Sequence, residues 1–396
     1  MPKTSRLLTA CVLATFAAAA SLAAPGASAA ASSRVLVSST LNHGVLVLDA
    51  QSLAFTQPML PSRGTSPVRM DIEVFDGTPY LFTANHGLAA SLGIFDLSGD
   101  LVVEVPASPI PSGGFGAVGI DVSPGGTVAM TNNWFALGGC SMPRGSLSVY
   151  RVVPEAGTLT AVLEGVYEHA SAIPWAVAID ESRDSVYASL NCGNELEVFD
   201  RTETYLGTSS HVRAARVQTG SRPDATLFDA KRDRSYTVNI ASSSLTVVDG
   251  ASRTPLTTVP LPGAGPIDAA LATSAAGSDW ILTSNGNDDT FSIIDRDRIE
   301  ACIQASATSC PAAQVARIPA GVAGGQPEGV SYDPVSGRVF VVNKSPLGSP
   351  KLSAIEVVET PGGISASLVG VVPLPAADPR LPAPAIIGFD VVVQTR

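Results

Sequence analysis

The chain repeats one short strand pattern seven times, and this repeat constrains the fold more than any other feature. Each copy is a run rich in valine, leucine and aromatic residues that ends in Asn, or in Thr40 in the first copy. The copies are 35–40, 80–85, 128–132, 186–191, 235–239, 281–285 and 339–343. Their end residues lie 45 to 59 residues apart, close to the period of a four-stranded propeller blade. The repeat therefore predicts seven blades.

Two further elements accompany each copy. A second strand follows it, usually with an acidic end, at 45–49, 92–96, 147–150, 196–200, 245–249, 291–295 and 352–356. A lead-in of mostly small residues, often opened by Pro, occurs at 67–72, 115–121, 174–180, 223–229, 266–271, 327–333 and 384–390. Such runs, bounded by Gly, Asn, Asp and Ser, are typical of strands and turns. Because no window keeps a 3.6-residue period, we expect almost no helix.

The ends of the chain complement each other. The lead-in at 384–390 has no Asn strand after it, and the first Asn-type strand, which begins near Arg34, has no lead-in before it. Pairing of these two would complete blade 1 and remove an exposed strand edge. A β-sandwich does not need seven copies of one pattern, and an open solenoid does not need matching ends. We therefore predict an all-β chain whose residues 30–396 form a single seven-bladed β-propeller.

Residues 1–29 have the three parts of a secretory signal. Lys3 and Arg6 form the basic start, 7–24 the apolar segment, and 27–29 a small-residue cleavage site. A Pro-Gly pair ends the apolar run, and no later segment is long and apolar enough to span a bilayer. We expect a protein that is secreted or periplasmic, without membrane insertion.

The composition argues against polyanionic partners. The formal net charge is −11, and loss of Lys3 and Arg6 with the signal changes it to −13. So acidic a protein is poorly suited to nucleic acid or to an anionic membrane surface. We expect no nucleic-acid partner and a monomeric protein.

Four cysteines follow the signal, an even number that suits an oxidising compartment. Cys140 and Cys192 come after the Asn ends of the neighbouring blades 3 and 4. Cys302 and Cys310 close a short loop before the last strand of blade 6. Among the three possible pairings, this topology favours the disulfides Cys140–Cys192 and Cys302–Cys310 over a metal site or a free thiol.

Propeller geometry places the starts of the lead-in strands around one mouth of the central channel. The side chains gathered there are Arg69, Trp175, Asp224, Asp268 and Glu328. Burial or shared charge in a narrow channel shifts the pKa of a carboxyl group. These five residues are therefore the first candidates for binding or catalysis.

A second ring of polar residues lies outside the first. It contains the repeated Asn residues, with Asn285 and Asn343 as candidate ligand-binding groups. His43, His86 and His169 lie in loops on the same side, whereas His211 belongs to the other face.

Every candidate also has a structural interpretation. Asn and Asp at strand ends commonly bond to turn backbone, a loop histidine is commonly just solvated, and Arg69 can neutralise a neighbouring carboxylate. The sequence has no G-x-S-x-G elbow, no H-E-x-x-H pair, no Walker loop and no dinucleotide fingerprint. Mouth geometry is thus the whole argument for catalysis, and the sequence leaves open whether the protein is an enzyme.

The repeats resemble those of the seven-bladed YVTN-type and lactonase-like propellers. The resemblance is carried by 186–191 (VYASLN), 235–239 (SYTVN), 339–343 (VFVVN) and the Pro-x-x-x-x-aromatic-Asp lead-ins. It covers the whole mature chain. It implies one of several functions: hydrolysis of sugar lactones, opening of antibiotic lactones, association with a surface layer, or binding without catalysis.

The resemblance also implies a possible cofactor. Metal-dependent lactonase propellers hold a divalent cation with acidic and Asn ligands at the channel mouth. Here Glu328, Asp224, Asn343 and Asn285 would be the corresponding oxygen ligands for Ca²⁺.

Two hypotheses follow for the function. In the first, an exported scaffold binds a small molecule, a protein or a glycan through the mouth face, aided by Trp134, Phe135 and Met142 in the loop 133–145. An apolar patch there would mark a contact surface. In the alternative, a lactonase-like hydrolase opens a small lactone or ester, with or without Ca²⁺. Arg69 or the cation would polarise the carbonyl, and Glu328 or His86 would be the general base.

Overall fold

Six four-stranded sheets and one five-stranded sheet form a seven-bladed β-propeller, as the repeat predicts. The computed structural model describes residues 33–87, 89–133, 139–141, 144–155, 157–169, 173–203, 209–345, 349–376 and 389–395. The expected signal, 1–29, and Trp134 lie outside these ranges. Contacts group Ser32–Arg396 into one compact unit.

Each blade is an antiparallel sheet that begins with an inner strand beside the channel. Blade 1 contains β1 (Arg34–Ser39), β2 (Gly44–Asp49), β3 (Leu60–Pro61) and, from the C-terminus, β29 (Val391–Gln394). Blade 2 contains β4 (Pro67–Phe75), β5 (Thr78–Asn85), β6 (Ser91–Asp96), β7 (Val103–Glu104) and β8 (Ile110–Pro111). Blade 3 contains β9 (Ala117–Val122), β10 (Thr127–Asn133), β11 (Gly145–Glu155) and β12 (Thr158–His169).

The remaining four blades follow in chain order. Blade 4 contains β13 (Pro174–Asp180), β14 (Ser185–Leu190), β15 (Glu195–Glu203) and β16 (Ser209–Gln218). Blade 5 contains β17 (Pro223–Asp229), β18 (Arg234–Asn239), β19 (Ser244–Asp249) and β20 (Pro255–Pro260). Blade 6 contains β21 (Pro266–Thr273), β22 (Asp279–Asn285), β23 (Thr290–Asp295) and β24 (Gln314–Pro319). Blade 7 contains β25 (Pro327–Asp333), β26 (Arg338–Asn343), β27 (Lys351–Thr360) and β28 (Gly363–Pro373).

Apolar packing joins each blade to the next. The buried side chains form one cluster at each of the seven junctions, as strands that bury both faces require. Between blades 5 and 6, for example, Tyr236, Val247, Ile281 and Ile294 are fully buried. Because every blade packs on two neighbours, the core is a closed ring around the channel.

The C-terminal strand closes the ring, and this part of the prediction is confirmed. β29 pairs antiparallel with β1, with Arg34 opposite Gln394 and Val37 opposite Val391. The paired strand contains the β-branched run after Asp390, and at Asp390, the last residue of the predicted lead-in, the backbone carbonyl accepts the Ser38 N–H. Residues 384–388 lie outside the described ranges, and the Asp390 carboxylate accepts hydrogen bonds from the backbone N–H groups of Met70 and Val391.

The expectation of almost no helix missed one element, the helix α1 (Arg296–Gln304). Asp295 caps its start by accepting hydrogen bonds from the backbone N–H groups of Asp297 and Arg298. Four 3-10 turns also occur among the described residues, at Thr40–Asn42, Gly139–Ser141, Glu181–Arg183 and Pro311–Ala313.

Both predicted disulfides are present. Cys140 and Cys192 are joined with their Cα atoms 5.5 Å apart, and Cys302 and Cys310 with theirs 5.9 Å apart. The second disulfide holds the chain after α1 against blade 5. There the Thr258 N–H donates to the Thr308 carbonyl, and the Cys310 N–H donates to the Thr258 carbonyl.

Candidate functional site at the channel mouth

An arginine spans the channel near the predicted mouth. One terminal nitrogen of Arg69, on β4, lies 2.5 Å from Asp268 Oδ1 and 3.8 Å from Asp390 Oδ1. The three side chains are at most 14% exposed. Burial by itself lowers the pKa of Arg69, but the surrounding carboxylates, led by Asp268, raise it overall. The guanidinium therefore stays charged between blades 1, 2 and 6.

Five carboxyl groups along the channel wall join one blade to the next. Each accepts a hydrogen bond of 2.6 to 3.2 Å from a backbone N–H of the following blade. The pairs are Asp390 with Met70, Asp71 with Val122, Asp121 with Ile179, Asp268 with Val330, and Glu328 with Phe389. An inner strand has no further strand beside it, so these carboxylates satisfy donors that a sheet edge leaves open.

Asp224 differs from these five carboxyl groups. It lies on β17 at the mouth and is only 4% exposed. Within the described ranges its Oδ1 atom has no hydrogen-bond partner. Burial raises its pKa to about 7, the charges of Asp268 and Glu328 act in the same direction, and Arg69 opposes them. Asp224 thus exchanges a proton near neutral pH, as a general base requires.

Glu328 and Lys344 form the next part of the mouth. Glu328 Oε1 lies 3.6 Å from Lys344 Nζ, while Oε2 accepts the Phe389 N–H. Burial raises the pKa of Glu328, and Lys344 and Arg69 offset part of the increase. Both oxygens of this carboxylate therefore already have partners.

Trp175 lies on β13 among the inner strands, where the wall is tightly packed. Its carbonyl accepts a hydrogen bond from Thr131 Oγ1. A Cβ on Gly119 would stand 2.5 Å from the same carbonyl oxygen. Only glycine fits at this point of the channel wall.

A cavity of about 290 Å³ lies beyond the Arg69–Asp268 pair, lined by the inner strands of all seven blades. It contains a carboxyl pair, Asp71 and Asp121, that shares a hydrogen bond. Burial raises the pKa of Asp71 to about 6. Burial and the charge of Asp71 raise the pKa of Asp121 well above its usual value. A single proton shared by the two carboxyl groups accounts for both increases in pKa.

Sequence reasoning missed Asp71, Asp121 and Asp390 as channel residues. Asp71 follows Arg69 by two positions on one strand, and strand periodicity alone directs both side chains to one face. Asp121 appeared only as the end of a lead-in. Asp390 was read as a turn former because the register of the last strand was not known.

The two Asn residues expected as ligands bond within their own blades. Asn285 Nδ2 donates to Thr290 Oγ1 and Ser292 Oγ, and its Oδ1 accepts from Thr283 Oγ1. Asn343 Nδ2 donates to Ser353 Oγ, whereas its Oδ1 has no hydrogen-bond partner among the described residues. Both side chains are fully buried.

This arrangement does not fit the Ca²⁺ site implied by the resemblance. Of the four expected ligands, Asn285 is engaged inside its blade and Glu328 by Lys344 and Phe389. The Oδ1 atoms of Asn343 and Asp224 have no hydrogen-bond partner among the described residues. No group of three His, Cys, Asp or Glu side chains within the described ranges is arranged to hold a metal ion. Ca²⁺ also prefers six to eight oxygen ligands.

The loop histidines are tied to their surroundings. His86 is 2% exposed, its Nδ1 lies 3.1 Å from the Ala117 carbonyl oxygen, and burial lowers its pKa. His43 Nδ1 accepts the Ser66 N–H, and His169 Nδ1 lies 3.0 Å from Glu197 Oε2. His86 Nε2 has no hydrogen-bond partner among the described residues, and His86, like Asp224 and Glu328, is not part of the cavity lining.

Comparisons with known proteins identify the fold. The periplasmic gluconolactonase of Pseudomonas aeruginosa is similar over 90% of this chain and 99% of its own, with 17% identity and a TM-score of 0.62. A candidate 6-phosphogluconolactonase of Bacteroides fragilis is similar over 94% and 100%, with 11% identity and a TM-score of 0.64. The fold is that of the lactonase-like seven-bladed propellers, as the sequence repeats suggested.

A protein of Desulfotomaculum acetoxidans of unknown function is also similar, over 90% of this chain and 98% of its own, with 12% identity and a TM-score of 0.60. No protein-family model and no curated protein matches the sequence. In the part of the chain that the structure describes, no helix has the length and apolar character needed to cross a membrane.

Proposed function

We propose that the protein is a lactonase-like hydrolase that opens a small lactone at the channel mouth. The observation that carries this proposal is Asp224, a buried carboxyl group with a pKa of about 7 whose Oδ1 has no hydrogen-bond partner among the described residues. Burial without a bonding partner is expensive for a carboxyl group. A structural role does not explain it, whereas a proton-transfer role does.

In the proposed reaction Asp224 takes a proton from water as the water oxygen attacks the lactone carbonyl carbon. The bond between that carbon and the ring oxygen then breaks, and the ring oxygen receives the proton from Asp224. The products are a carboxylic acid and a hydroxyl group on one molecule. Arg69, held by Asp268 and Asp390, would stabilise the negative oxygen that develops on the carbonyl.

The geometry favours Asp224 as the base over the two residues first considered. Glu328 already bonds to Phe389 and pairs with Lys344, and His86 is buried beside Ala117. We assign Glu328 to binding. We expect no dependence on Ca²⁺, because Glu328 and Asn285 are engaged elsewhere and no group of three His, Cys, Asp or Glu side chains within the described ranges is arranged to hold a metal ion. A chelator should leave both the rate and the thermal midpoint unchanged.

The disulfides and the location of a similar protein support export of this chain. Two disulfides suit an oxidising compartment, and the similar Pseudomonas aeruginosa protein is periplasmic. We propose a secreted or periplasmic enzyme. The scaffold hypothesis depended on Trp134, Phe135 and Met142, which lie outside the described residues, and it stays a prediction.

The test is hydrolysis of γ- and δ-lactones, followed by titration of the acid released. Asp224→Asn should lower kcat/KM by about a hundredfold or more. Activity of the unmodified protein should rise as pH increases through about 7, because the base must be ionised. Asp121→Asn is the matched control, since this channel carboxyl bonds to Ile179 and has no role in the proposed reaction. Equal activity of Asp224→Asn and the unmodified protein would refute the assignment.

A further inference from the structure

The charges at the mouth restrict which lactone can enter, if the proposed function holds. Four carboxyl groups surround the site: Asp224, Asp268, Glu328 and Asp390. Three of them are at most 8% exposed, and the fourth, Glu328, has a side chain that is 16% exposed. A buried group of this kind repels any second negative charge more strongly than an exposed one.

Two of the three nearby cations are already engaged. Arg69 pairs with Asp268 and Asp390, and Lys344 pairs with Glu328. Arg222 is exposed beside the start of β17, and its charge acts on Asp224. Recognition of a phosphate normally requires forked arginine donors that are free to bind it. At this mouth a phosphate could contact Arg222, but any further cation would first have to leave its carboxylate.

We infer that the substrate is a lactone without a phosphate or carboxylate group, and that the same carboxyl groups expel the anionic product. Ring opening converts an uncharged lactone and water into a hydroxy carboxylate and a proton. The product then carries a negative charge that the substrate lacked. Repulsion by those mouth carboxyl groups that are ionised speeds its release, so charge favours the uncharged substrate over the anionic product.

The experiment compares initial rates with D-glucono-δ-lactone, uncharged γ-lactones, and the 6-phosphate of D-glucono-δ-lactone. We expect kcat/KM to be at least about tenfold higher for the best uncharged lactone than for the phosphorylated one. Gluconate should inhibit weakly. Glu328→Gln removes one negative charge and frees Lys344, so it should raise kcat/KM for the 6-phosphate. The ratio of kcat/KM for the uncharged lactone to kcat/KM for the 6-phosphate should therefore fall several-fold.

The possible outcomes separate the two proposals. Faster hydrolysis of the 6-phosphate would overturn the inference on charge and leave the proposed hydrolase intact. The inference would also fail if Glu328→Gln lowered both rates equally without changing their ratio. Absence of hydrolysis for every lactone in the folded protein would overturn the hydrolase itself, and the inference with it.

Discussion

The innermost and outermost strands of the blades are edges of the same sheets, but they are protected in different ways. Along the channel the protection repeats from blade to blade. Besides the five carboxylates, four hydroxyl groups each accept an N–H of their own inner strand and donate to a carbonyl of the next. These groups belong to Ser38, Thr131, Ser189 and Ser284.

The outer edges are protected individually. β3, β7 and β8 are two residues long, and two of these three contain Pro. β12, β16 and β24 carry charged side chains, and the Thr308–Cys310 segment pairs with β20. β28 has eleven residues and none is charged. Short length, charge, Pro and cover are the usual means of protecting a strand edge.

The comparison shows how to interpret a buried carboxylate in this protein. Around the channel, most of these groups hold blades together, so a perturbed pKa is not by itself a sign of function. Asp224 is distinguished by what it lacks, a partner for its Oδ1 among the described residues. On the outer rim, β28 is distinguished because it is long and uncharged, and its one Pro lies only at its last residue.

The largest effect should come from breaking the inner ring at Arg69. Arg69→Met leaves Asp268 and Asp390 buried without their cation, which typically costs about 3–5 kcal/mol of unfolding free energy. Denaturant unfolding measures the loss. Adding Asp268→Asn to Arg69→Met should recover part of it. Additive losses would instead mean that the two residues do not stabilise each other.

A smaller loss of unfolding free energy is expected from a change at the outer edge of blade 5. Replacing Cys302 and Cys310 by Ser removes a cross-link between residues 8 apart in sequence, worth about 2 kcal/mol from chain entropy. Hydrogen exchange should show faster exchange at Thr258, whose N–H bonds to Thr308. Replacing Cys140 and Cys192 by Ser serves as the control and should leave Thr258 protected.

Asp71 should give the free energy of unfolding an unusual pH dependence. Its pKa is raised to about 6, so between its ordinary value and 6 the folded protein binds more protons than the unfolded chain does. The stability that this group contributes is therefore greatest in acid and falls as pH rises toward 6. Asp71→Asn should be more stabilising near pH 8 than near pH 5, by about 1 kcal/mol. Thermal midpoints at the two pH values measure this, and an equal effect at both would contradict the shared proton.

The smallest effect on stability is expected on β28. Leu368 is 52% exposed on this uncharged edge, and Leu368→Lys should change the unfolding free energy by about 0.5 kcal/mol or less. It should nevertheless reduce aggregation on heating, measured by light scattering. Val335 is 54% exposed in a turn, so Val335→Lys is the control. An equal reduction of aggregation by both substitutions would show that the edge of β28 promotes aggregation no more than any other exposed apolar site.

Much of this architecture is determined by the sequence alone. The seven copies of one strand pattern identify the blades, and the unmatched elements at the two ends imply that β29 pairs with β1. The Cys pairs follow from the same topology. These inferences succeed because period and pairing depend on backbone geometry, which repeats along the chain. The helix α1 escaped detection because its apolar stripe is only one turn long, Ile299, Cys302 and Ile303, and because it occurs in a single blade.

The channel mouth was decided only by the tertiary structure. The sequence predicted that four residues lie at one mouth, namely Arg69, Asp224, Asp268 and Glu328. It did not predict which carboxylate would lack a hydrogen-bond partner. That depends on hydrogen bonds between blades that are far apart in the chain, such as Glu328 with Phe389. Asn343 shows the same limit, since its position suggested a ligand and packing turned its amide toward Ser353. The repeat determines which strand carries each side chain. The contacts of that side chain depend on the closed ring, because residues that face each other across the channel have no fixed spacing in sequence.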